Sequence, residues 1–379
     1  MKRKVVILFI FTLVLLTICG CQRENKGVDA TKHGLSERNS GKENSIALQA
    51  LIDELSAEGG VIYIPKGEYE FAENGTQTIG SHCIKMRSGV SIVGDGEKTV
   101  LKPIGESKYG MDMFYFNDYL DLGEPNYLEN CRFEDFVIDA TETSCITYTS
   151  AGKGFMFNLF KNCHWRGVTV KNTVATGFGV DCPIESSITD CRAIGCGSGA
   201  TTRSSGASGF GIGYGYSPLE SMVISRCEAF GNKKFGIFFE HQGRFNNKMY
   251  SAQPLEDFVI TDCTSGGNLY DFGGICTAFT SYRNCRSEGA VDSAFYFESS
   301  SGVSVIGSFA ADSPLAVSLV GTNGSCTVSD CSFTDIADYD VRTEGSIHSL
   351  TLTNNSAELG RLLLEGEIAE LKNENNSWN

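Results

Sequence analysis

Two carboxylates and a histidine stand beside short phrases in which a glycine precedes alternating apolar residues. Asp181 ends the phrase Gly179-Val180-Asp181, and Glu240 and His241 follow the similar phrase Gly236-Ile237-Phe238. Two carboxyl groups with a nearby histidine are the composition expected for sugar chemistry. One carboxyl group can protonate the leaving oxygen, and the other can activate water or attack the sugar. We therefore take Asp181, Glu240 and His241 as candidate catalytic residues.

The phrases predict strands that share one orientation. Period-two alternation indicates strands with one buried face, so Val180, Ile212 and Ile237 are expected to point inward at equivalent positions. The outward columns are then Asp181, Gly213 and Phe238, and beside them Pro183, Gly215 and Glu240, with Tyr216 and His241 at the edge. A glycine on an outward face lets a ligand approach the backbone. Gly213, Gly215, Tyr216 and Phe238 are therefore predicted to bind substrate.

The two carboxylates are expected to lie two rungs apart. At about 4.8 Å per rung their backbones are separated by roughly 10 Å, which is nearer an inverting spacing of about 6.5–9.5 Å than a retaining spacing of about 5–5.5 Å. A purely structural interpretation stays open, because Glu298, Glu344 and Glu365 recur in the predicted Glu240 column and exposed carboxylates commonly serve solubility.

Two long insertions are predicted to flank this site. The first, Gly195–Gly209, carries Arg203, and the second, Gln242–Glu256, carries Arg244. Loops of this length in compact folds are usually functional walls or lids. Arg203 and Arg244 are therefore predicted to bind substrate, for example a uronate carboxylate.

Cysteines mark a repeat in the chain. Each of five cysteines follows a short strand-like phrase, at spacings of 36, 36, 22 and 46 residues: Cys191, Cys227, Cys263, Cys285 and Cys331. Asn355 occupies the same place near the end, and Asn130-Cys131 and Asn162-Cys163 form a similar earlier pair. Self-similarity at such periods indicates a solenoid, in which stacked cysteines behave as small buried residues. The sequence predicts an all-β chain, a right-handed parallel β-helix, with free thiols favoured over disulfides and no metal site.

A short helix is predicted to cap the first coil. Residues Ser45–Leu55 have apolar side chains at helical spacing, with Asn44 or Ser45 as N-cap. Gly59-Gly60 follows, and Val61–Ile64 is predicted to be a buried strand. The exposed first coil of a solenoid needs such a cap.

The first residues have the layout of a bacterial lipoprotein. A basic start, Lys2–Lys4, precedes an apolar run that ends in Leu16-Thr17-Ile18-Cys19-Gly20-Cys21. We predict a signal peptide over 1–20, lipidation of Cys21, a flexible tether over 21–43 and a β-helix domain over 44–379. A retained transmembrane helix is the alternative, but the apolar run is shorter than the roughly 20 residues that a span needs. The expected location is extracytoplasmic, on the cell envelope, with the lipid as membrane anchor.

Charge restricts the partners. The formal net charge is −15, and removing Lys2, Arg3 and Lys4 leaves −15 − 3 = −18. Phosphate recognition depends on Lys and Arg, so nucleic acid is not expected as a partner. A polysaccharide is the expected partner, although a polyanionic glycan would need cations or a local basic patch. Ca²⁺ is a conceivable cofactor, because Asp181 and Glu185 offer oxygen ligands.

The beginning of the predicted domain resembles the pectate-lyase superfamily. The resemblance rests on Ala47–Ala50, on Gly59-Gly60-Val61-Ile62-Tyr63-Ile64-Pro65-Lys66-Gly67-Glu68-Tyr69 and on Val90–Gly96, and the later repeats extend it over most of the chain. It implies a parallel β-helix and a carbohydrate-active protein, a glycoside hydrolase or polysaccharide lyase. It does not select the reaction, because one fold hosts many activities.

Two alternatives remain. Phe178–Glu185 resembles the segment Tyr-Gly-Phe-Asp-Pro-His-Glu of mannuronan C5-epimerases, with Asp181 at the Asp, but Phe178 replaces the Tyr and no His follows. Proton transfer in such an enzyme would fall to Tyr216, His241 or Lys171. The other alternative is a non-catalytic glycan-binding protein or adhesin, with Phe238, Tyr296 and Tyr216 as stacking platforms.

Overall fold

A computed structural model of the chain describes residues 26–117, 125–242 and 258–378. The chain is a right-handed parallel β-helix with one α-helix near its N-terminus, as the sequence predicts. The predicted signal peptide and Cys21 lie outside the described residues. In the parts of the chain that the structure describes, no helix is long and apolar enough to cross a membrane.

Each full coil contributes strands to three faces. The face that carries the predicted site, here called the groove sheet, contains Gly80–Lys85, Met111–Phe116, Phe155–Lys161, Phe178–Ile184, Phe210–Tyr214, Phe235–His241, Tyr270–Ile275, Ser293–Glu298 and Leu362–Leu364.

The other two faces are named the second and third sheets. The second sheet contains Val28–Asp29, Gly60–Tyr63, Val90–Val93, Arg132–Glu134, His164–Arg166, Ser186–Thr189, Met222–Ser225, Phe258–Thr261, Thr280–Arg283, Val303–Ile306 and Glu367–Glu374. The third contains Gly67–Phe71, Thr99–Pro103, Val137–Asp139, Thr169–Lys171, Arg192–Ile194, Glu228–Phe230, Thr264–Gly266, Arg286–Glu288, Ser356–Ala357 and Ser377–Trp378.

The remaining strands complete these faces or project from them. Two long strands, Phe309–Ser329 and Ser332–Thr353, run through successive faces of the last coils. The short strands are Gly75–Gln77, antiparallel to Gly80–Lys85, then Leu128–Glu129, and the separate pair Gly105–Ser107 and Thr143–Cys145.

Stacks of like side chains fill the interior. Ile188, Ile224 and Ile260 lie in register on the second sheet and are fully buried. On the groove sheet Phe178 stacks on Phe155 and Phe210, with ring centroids 5.3 and 4.6 Å apart. Because every strand presents alternate residues inward, each coil adds one layer to a continuous apolar core.

The cysteine repeat is a column of buried residues at the turn between the second and third sheets. The amide of Cys227 donates to the sulfur of Cys263 at 3.3 Å, 36 residues away. Ser308 occupies the coil skipped by the 46-residue spacing, and Asn355 continues the column beside Cys331, as predicted. Cys131 and Cys163 pair with each other at a different turn, between the groove and second sheets. All cysteines of the described residues have free thiols.

The residue before each member of the column has a left-handed backbone. Positive φ angles of 50–56° occur at Asp190, Arg226, Asp262, Asn284, Asp330 and Asn354. Short polar side chains tolerate this conformation better than most others. The recurring Asp-Cys and Asn-Cys dipeptides are therefore a turn signature.

The capping helix begins earlier than predicted. It spans Gly41–Leu55, with Ser40 as N-cap in a reciprocal capping box with Glu43. Asn44 and Ser45, the predicted N-caps, lie inside the helix and donate to the carbonyls of Glu70 and Ala72 in the first coil.

The flexible tether predicted over 21–43 is wrong for residues 26–43, which are the residues of that segment that the structure describes. Val28–Asp29 pairs with the strand Gly60–Tyr63, and a 3-10 helix follows over Ala30–His33. The polar composition of this segment predicts a flexible linker, but the backbone of Val28–Asp29 pairs with the first coil.

Candidate active site

A groove of about 670 Å³ runs over the outward face of the groove sheet. Its floor includes Asn158, Asp181, Gly213 and Glu240. One wall is Gly206–Ser208, from the first predicted insertion, so that insertion does flank the site. The lining also includes Gln77–Ile79, at the hairpin between Gly75–Gln77 and Gly80–Lys85, together with Tyr148 and Ser150.

The register brings the two predicted carboxylates into one column. Asp181 pairs with Gly213, and Gly213 pairs with Glu240. Phe238 pairs with Gly211 and so stands in the neighbouring column, two residues away from its predicted place. The predicted register of the strand Phe235–His241 is therefore wrong by two residues. The strand has apolar residues at both Ile237 and Phe239, and the structure aligns Phe239, not Ile237, with Ile212.

Asp181 is half-buried and held from two sides. Its Oδ1 accepts a hydrogen bond from the Gly213 amide at 2.8 Å. The Asn158 side-chain nitrogen lies 3.1 Å from Oδ2 when its amide is oriented to donate. Burial raises the pKa of Asp181, although the positive charge of Lys153 and the Gly213 hydrogen bond oppose the rise. Such a carboxyl group is suited to carry a proton.

Gly213 separates the carboxylates, but it is not the open floor that was predicted. A Cβ at this position would lie 2.4 Å from Asp181 Oδ1 and 2.4 Å from Cγ of Gln242. The space above the glycine is therefore filled by these side chains. Gln242 in turn extends its amide nitrogen to 3.5 Å from Glu240 Oε2. Glycine is required here because it lets Asp181 and Gln242 converge beside Glu240.

A cation and apolar side chains form the adjoining column. The Lys153 side chain lies over Gly179, with Nζ 3.1 Å from where a Cβ of Gly179 would stand. Met156 and Phe238 occupy the same column, and Phe238 covers Gly211. The groove thus offers a positive charge near Asp181 and an aromatic face near Glu240.

His241, Gly215 and Tyr216 do not join the groove lining. Strand alternation turns His241 away from Glu240, and its ring packs edge-on against Tyr214 at 5.3 Å. Gly215 has a left-handed φ of 108° and lies against the His241 ring. Tyr216 follows in a turn, where its amide donates to Glu220 at 3.0 Å.

Glu220 is a buried carboxylate behind the groove that the sequence analysis missed. It accepts hydrogen bonds from the amides of Gly215, Tyr216 and Ser217, at 2.5, 3.0 and 3.1 Å. Burial raises its pKa to about 7 despite these bonds. Its position fixes the turn in which Gly215 and Tyr216 lie.

The other predicted residues lie apart from Asp181. Arg203 is exposed outside the groove lining, with Nη1 3.4 Å from the Gly267 carbonyl oxygen. Lys171, considered for an epimerase, is on the third sheet and pairs with Asp139 at 3.0 Å. Arg244 and the second insertion lie outside the described residues. Among the described side chains, no group of three His, Cys, Asp or Glu residues could hold a metal ion.

Several groove residues were missed because they come from earlier coils. Lys153 and Asn158 flank the apolar alternation of Phe155 and Phe157, and Asn158 pairs with Asp181. Extending the Asp181 column back by one coil would have found Asn158. Tyr115 pairs with Met156 in the adjoining column and would have been found in the same way. Gln77 carried no comparable signal, because it lies in a hairpin whose position is set by tertiary packing.

The comparisons with known proteins agree with this architecture. A family profile described as "Rhamnogalacturonase A/epimerase, pectate lyase-like" matches residues 36–269. The chain belongs to this pectate-lyase-like family of β-helix proteins. A comparison with curated protein sequences finds no match.

Solved structures are similar in fold at low sequence identity. The A-module of mannuronan C-5 epimerase AlgE6 from Azotobacter vinelandii has 16% identity and a TM-score of 0.58, covering 90% of this chain and 98% of that module. The tailspike protein of E. coli bacteriophage HK620, solved in complex with a pentasaccharide, has 15% identity and a TM-score of 0.66, covering 93% of this chain and 66% of the tailspike.

Proposed function

We propose that the protein is an extracytoplasmic polysaccharide-processing enzyme that hydrolyses a glycosidic bond in the groove. The observation that carries the proposal is the single column in which Asp181 and Glu240 flank Gly213. Two rungs separate their backbones by roughly 10 Å, which leaves room for a water molecule and a sugar between side chains that converge. This spacing favours inversion over retention.

In this mechanism Asp181 is the general acid. Its raised pKa favours the protonated form, and the Gly213 amide holds one of its oxygens in place. The proton passes from Asp181 to the leaving glycosidic oxygen as the bond to the anomeric carbon breaks. Glu240 accepts a proton from the attacking water, whose oxygen bonds to the anomeric carbon.

A uronate-directed reaction is the second candidate, and Lys153 favours it. Its ammonium group lies in the groove near Asp181 and could neutralise a sugar carboxylate, which assists removal of the adjacent proton in a lyase or epimerase. The AlgE6 module, described as a mannuronan C-5 epimerase, has a similar fold. Against this candidate, Phe178 is buried in the core where the epimerase segment has its tyrosine.

Attachment to the cell envelope is part of the proposal. It rests on the lipoprotein-like leader and on Cys21 as the acylated residue. Metabolic labelling of the full chain with a radioactive fatty acid tests it, because Cys21→Ser should abolish the label. Label that persists in Cys21→Ser would contradict the assignment.

A depolymerisation screen tests the enzyme. The chain from Gln22 onward keeps all residues of the described fold, and it would be incubated with neutral and uronate polysaccharides while reducing ends and unsaturated-uronate absorbance are followed. A hydrolase should produce new reducing ends without ultraviolet absorbance. The variants Asp181→Asn and Glu240→Gln should no longer produce these ends. Glu344→Gln is the matched control, since it lies in the same column but far from the groove.

The other outcomes separate the alternatives. Ultraviolet absorbance would replace the hydrolase with a lyase. Binding of a glycan without new ends, and without NMR signals of an inverted C5 centre, would replace it with a non-catalytic binding protein. Activity retained in both carboxylate variants would remove the groove as the active site.

A further inference from the structure

A second concave surface lies on another face of the first coils. It is a pocket of about 700 Å³ whose lining includes five basic residues, here called the basic pocket: Lys26, Lys66, Lys98, Arg132 and Arg166. Three acidic residues, Asp95, Glu134 and Asp135, also line it. The pocket therefore has a positive balance on a chain whose formal net charge is −15. Such a local reversal of charge needs an explanation other than solubility.

Part of the basic charge is not neutralised inside the pocket. Lys26 pairs with Asp95 at 2.6 Å, and Arg166 pairs with Glu134 at 3.3 Å. Within the described residues, no carboxylate oxygen lies within 4 Å of the charged groups of Lys66, Lys98 or Arg132, and all three side chains are exposed.

The first described residue lies at this pocket. Lys26 is the first described residue, and its ammonium bonds to Asp95 and lies 4.9 Å from the centre of the Tyr63 ring. Tyr63 also donates to Asp95 at 2.6 Å, and the next strand, Val28–Asp29, pairs with Ile62–Tyr63. Although burial opposes it, the hydrogen bonds from Lys26 and Tyr63 lower the pKa of Asp95. The beginning of the described chain is thus fixed to the pocket wall.

The distance to the proposed lipid anchor is short. The five-residue step from Cys21 to Lys26 spans at most about 18 Å. A chain acylated at Cys21 would therefore hold the basic pocket close to the bilayer surface, where anionic headgroups attract Lys and Arg. A single acyl chain gives reversible binding, and a basic patch is a known second signal for stable attachment.

We propose that the basic pocket binds the phosphate headgroups of anionic phospholipids in the membrane that carries the lipid anchor. The proposal rests on the envelope attachment stated above. The pocket lining belongs to the second sheet and its adjoining loops, whereas the glycan groove lies on the groove sheet. A protein held by the basic pocket would keep the groove open to its substrate and restrict how it can tilt on the membrane.

Vesicle binding tests the proposal in the chain from Gln22 onward, which has no acyl group. Sedimentation with phosphatidylglycerol vesicles should exceed sedimentation with phosphatidylcholine vesicles, and the difference should fall with salt. Lys66→Glu/Lys98→Glu should weaken phosphatidylglycerol binding at least about tenfold. The control Lys108→Glu/Lys372→Glu changes the same charge at exposed lysines outside the pocket, and it should bind as the parent does.

Three results would overturn the proposal. The first is equal binding to the two kinds of vesicle, and the second is an equal loss in the two double variants. The third is a pocket that binds inorganic phosphate or polygalacturonate, with loss in Lys66→Glu/Lys98→Glu, while phosphatidylglycerol vesicles do not bind. Fatty-acid labelling of the full chain reports on Cys21 independently, so a failed anchor and a failed basic pocket give different results.

Discussion

The same outward column has two different characters in the two halves of the β-helix. In the first half it contains Asp181 and Glu240, and in the second half it contains Glu298 and Glu344. Asp181 is half-buried and its pKa is raised by burial, whereas the Glu344 side chain is 55% exposed and pairs with Arg342 at 2.7 Å. The backbone position is equivalent, so the surroundings of the strand make the difference.

Coil length explains this contrast. Asp181 and Gly213 are adjacent rungs that are 32 residues apart, whereas Ser300 and Asn323 are adjacent rungs only 23 residues apart. The longer coil carries the insertion whose residues Gly206–Ser208 wall the groove. A coil of 23 residues has only enough residues for its three strands and the turns between them. A column of carboxylates thus becomes a candidate site where the insertion of a longer coil forms a wall beside it.

The largest expected effect compares the two halves directly. Asp181→Asn should lower the rate of glycan cleavage by roughly 10³-fold, because a general acid contributes about 10²–10⁴-fold. Glu344→Gln should leave the rate within about twofold. Initial rates of reducing-end formation measure both. Similar losses of activity in the two variants would contradict this comparison, because the groove wall at Gly206–Ser208 would then make no difference to catalysis.

A smaller effect is expected at the glycine between the carboxylates. Gly213→Ala places a Cβ against Asp181 Oδ1 and Gln242, and displacement of a catalytic group by about 1 Å costs roughly 100-fold in rate. Val320→Ala changes the same column in the second half and should have no effect on the rate. The same initial-rate assay decides, with the circular dichroism of each variant as a folding control. A fully active Gly213→Ala variant would show that Asp181 need not be held in place.

The fold could be predicted because its signals repeat. The Asp-Cys and Asn-Cys dipeptides at Cys191, Cys263, Cys285 and Cys331 mark a left-handed turn followed by a buried column, and the 46-residue gap between Cys285 and Cys331 spans a coil in which Ser308 takes the place of the cysteine. The site was harder to predict because alternation with period two leaves a strand's register open. Ile237 and Phe239 are equally apolar, and choosing Ile237 shifted Glu240 by two residues.

Other parts of the site had no local signal at all. His241 directly follows Glu240, but alternation places it on the other side of the strand. Lys153 reaches the groove only because Gly179 leaves space for its side chain. Glu220 lies in the turn after the strand Phe210–Tyr214, and its buried carboxylate accepts hydrogen bonds from three backbone amides. No residue spacing in the sequence predicts these contacts. Contacts made by loops and turns depend on the assembled coils.

The buried carboxyl group of Glu220, in the half of the β-helix that contains the groove, is expected to make the stability of the protein depend on pH. Its pKa rises from 4.5 to about 7 on folding, so its stabilising contribution is fully present below about pH 4.5 and is lost as the pH rises through about 7. Relative to Glu220→Gln, the parent should lose about 3 kcal/mol of unfolding free energy between pH 4.5 and 8. Urea unfolding at both pH values measures this. A difference between parent and variant that does not change with pH would contradict the burial of this carboxyl group.

The smallest expected effect concerns the cysteine column in the short coils. Ser308 Oγ accepts from the Cys285 amide at 3.1 Å and donates to the Ile306 carbonyl at 3.1 Å. The Cys263 sulfur makes the same two contacts in its own coil, with Cys227 and Thr261.

Ser308→Cys should therefore change the free energy of unfolding by less than about 1 kcal/mol, because a thiol can accept the same amide and adds buried apolar volume. Ser308→Ala should cost about 1–3 kcal/mol, since the buried amide of Cys285 then lacks an acceptor. Urea unfolding under reducing conditions measures both changes. If Ser308→Cys destabilises as much as Ser308→Ala, a thiol does not replace the hydroxyl here, and Ser308 and the cysteines are not equivalent members of the column.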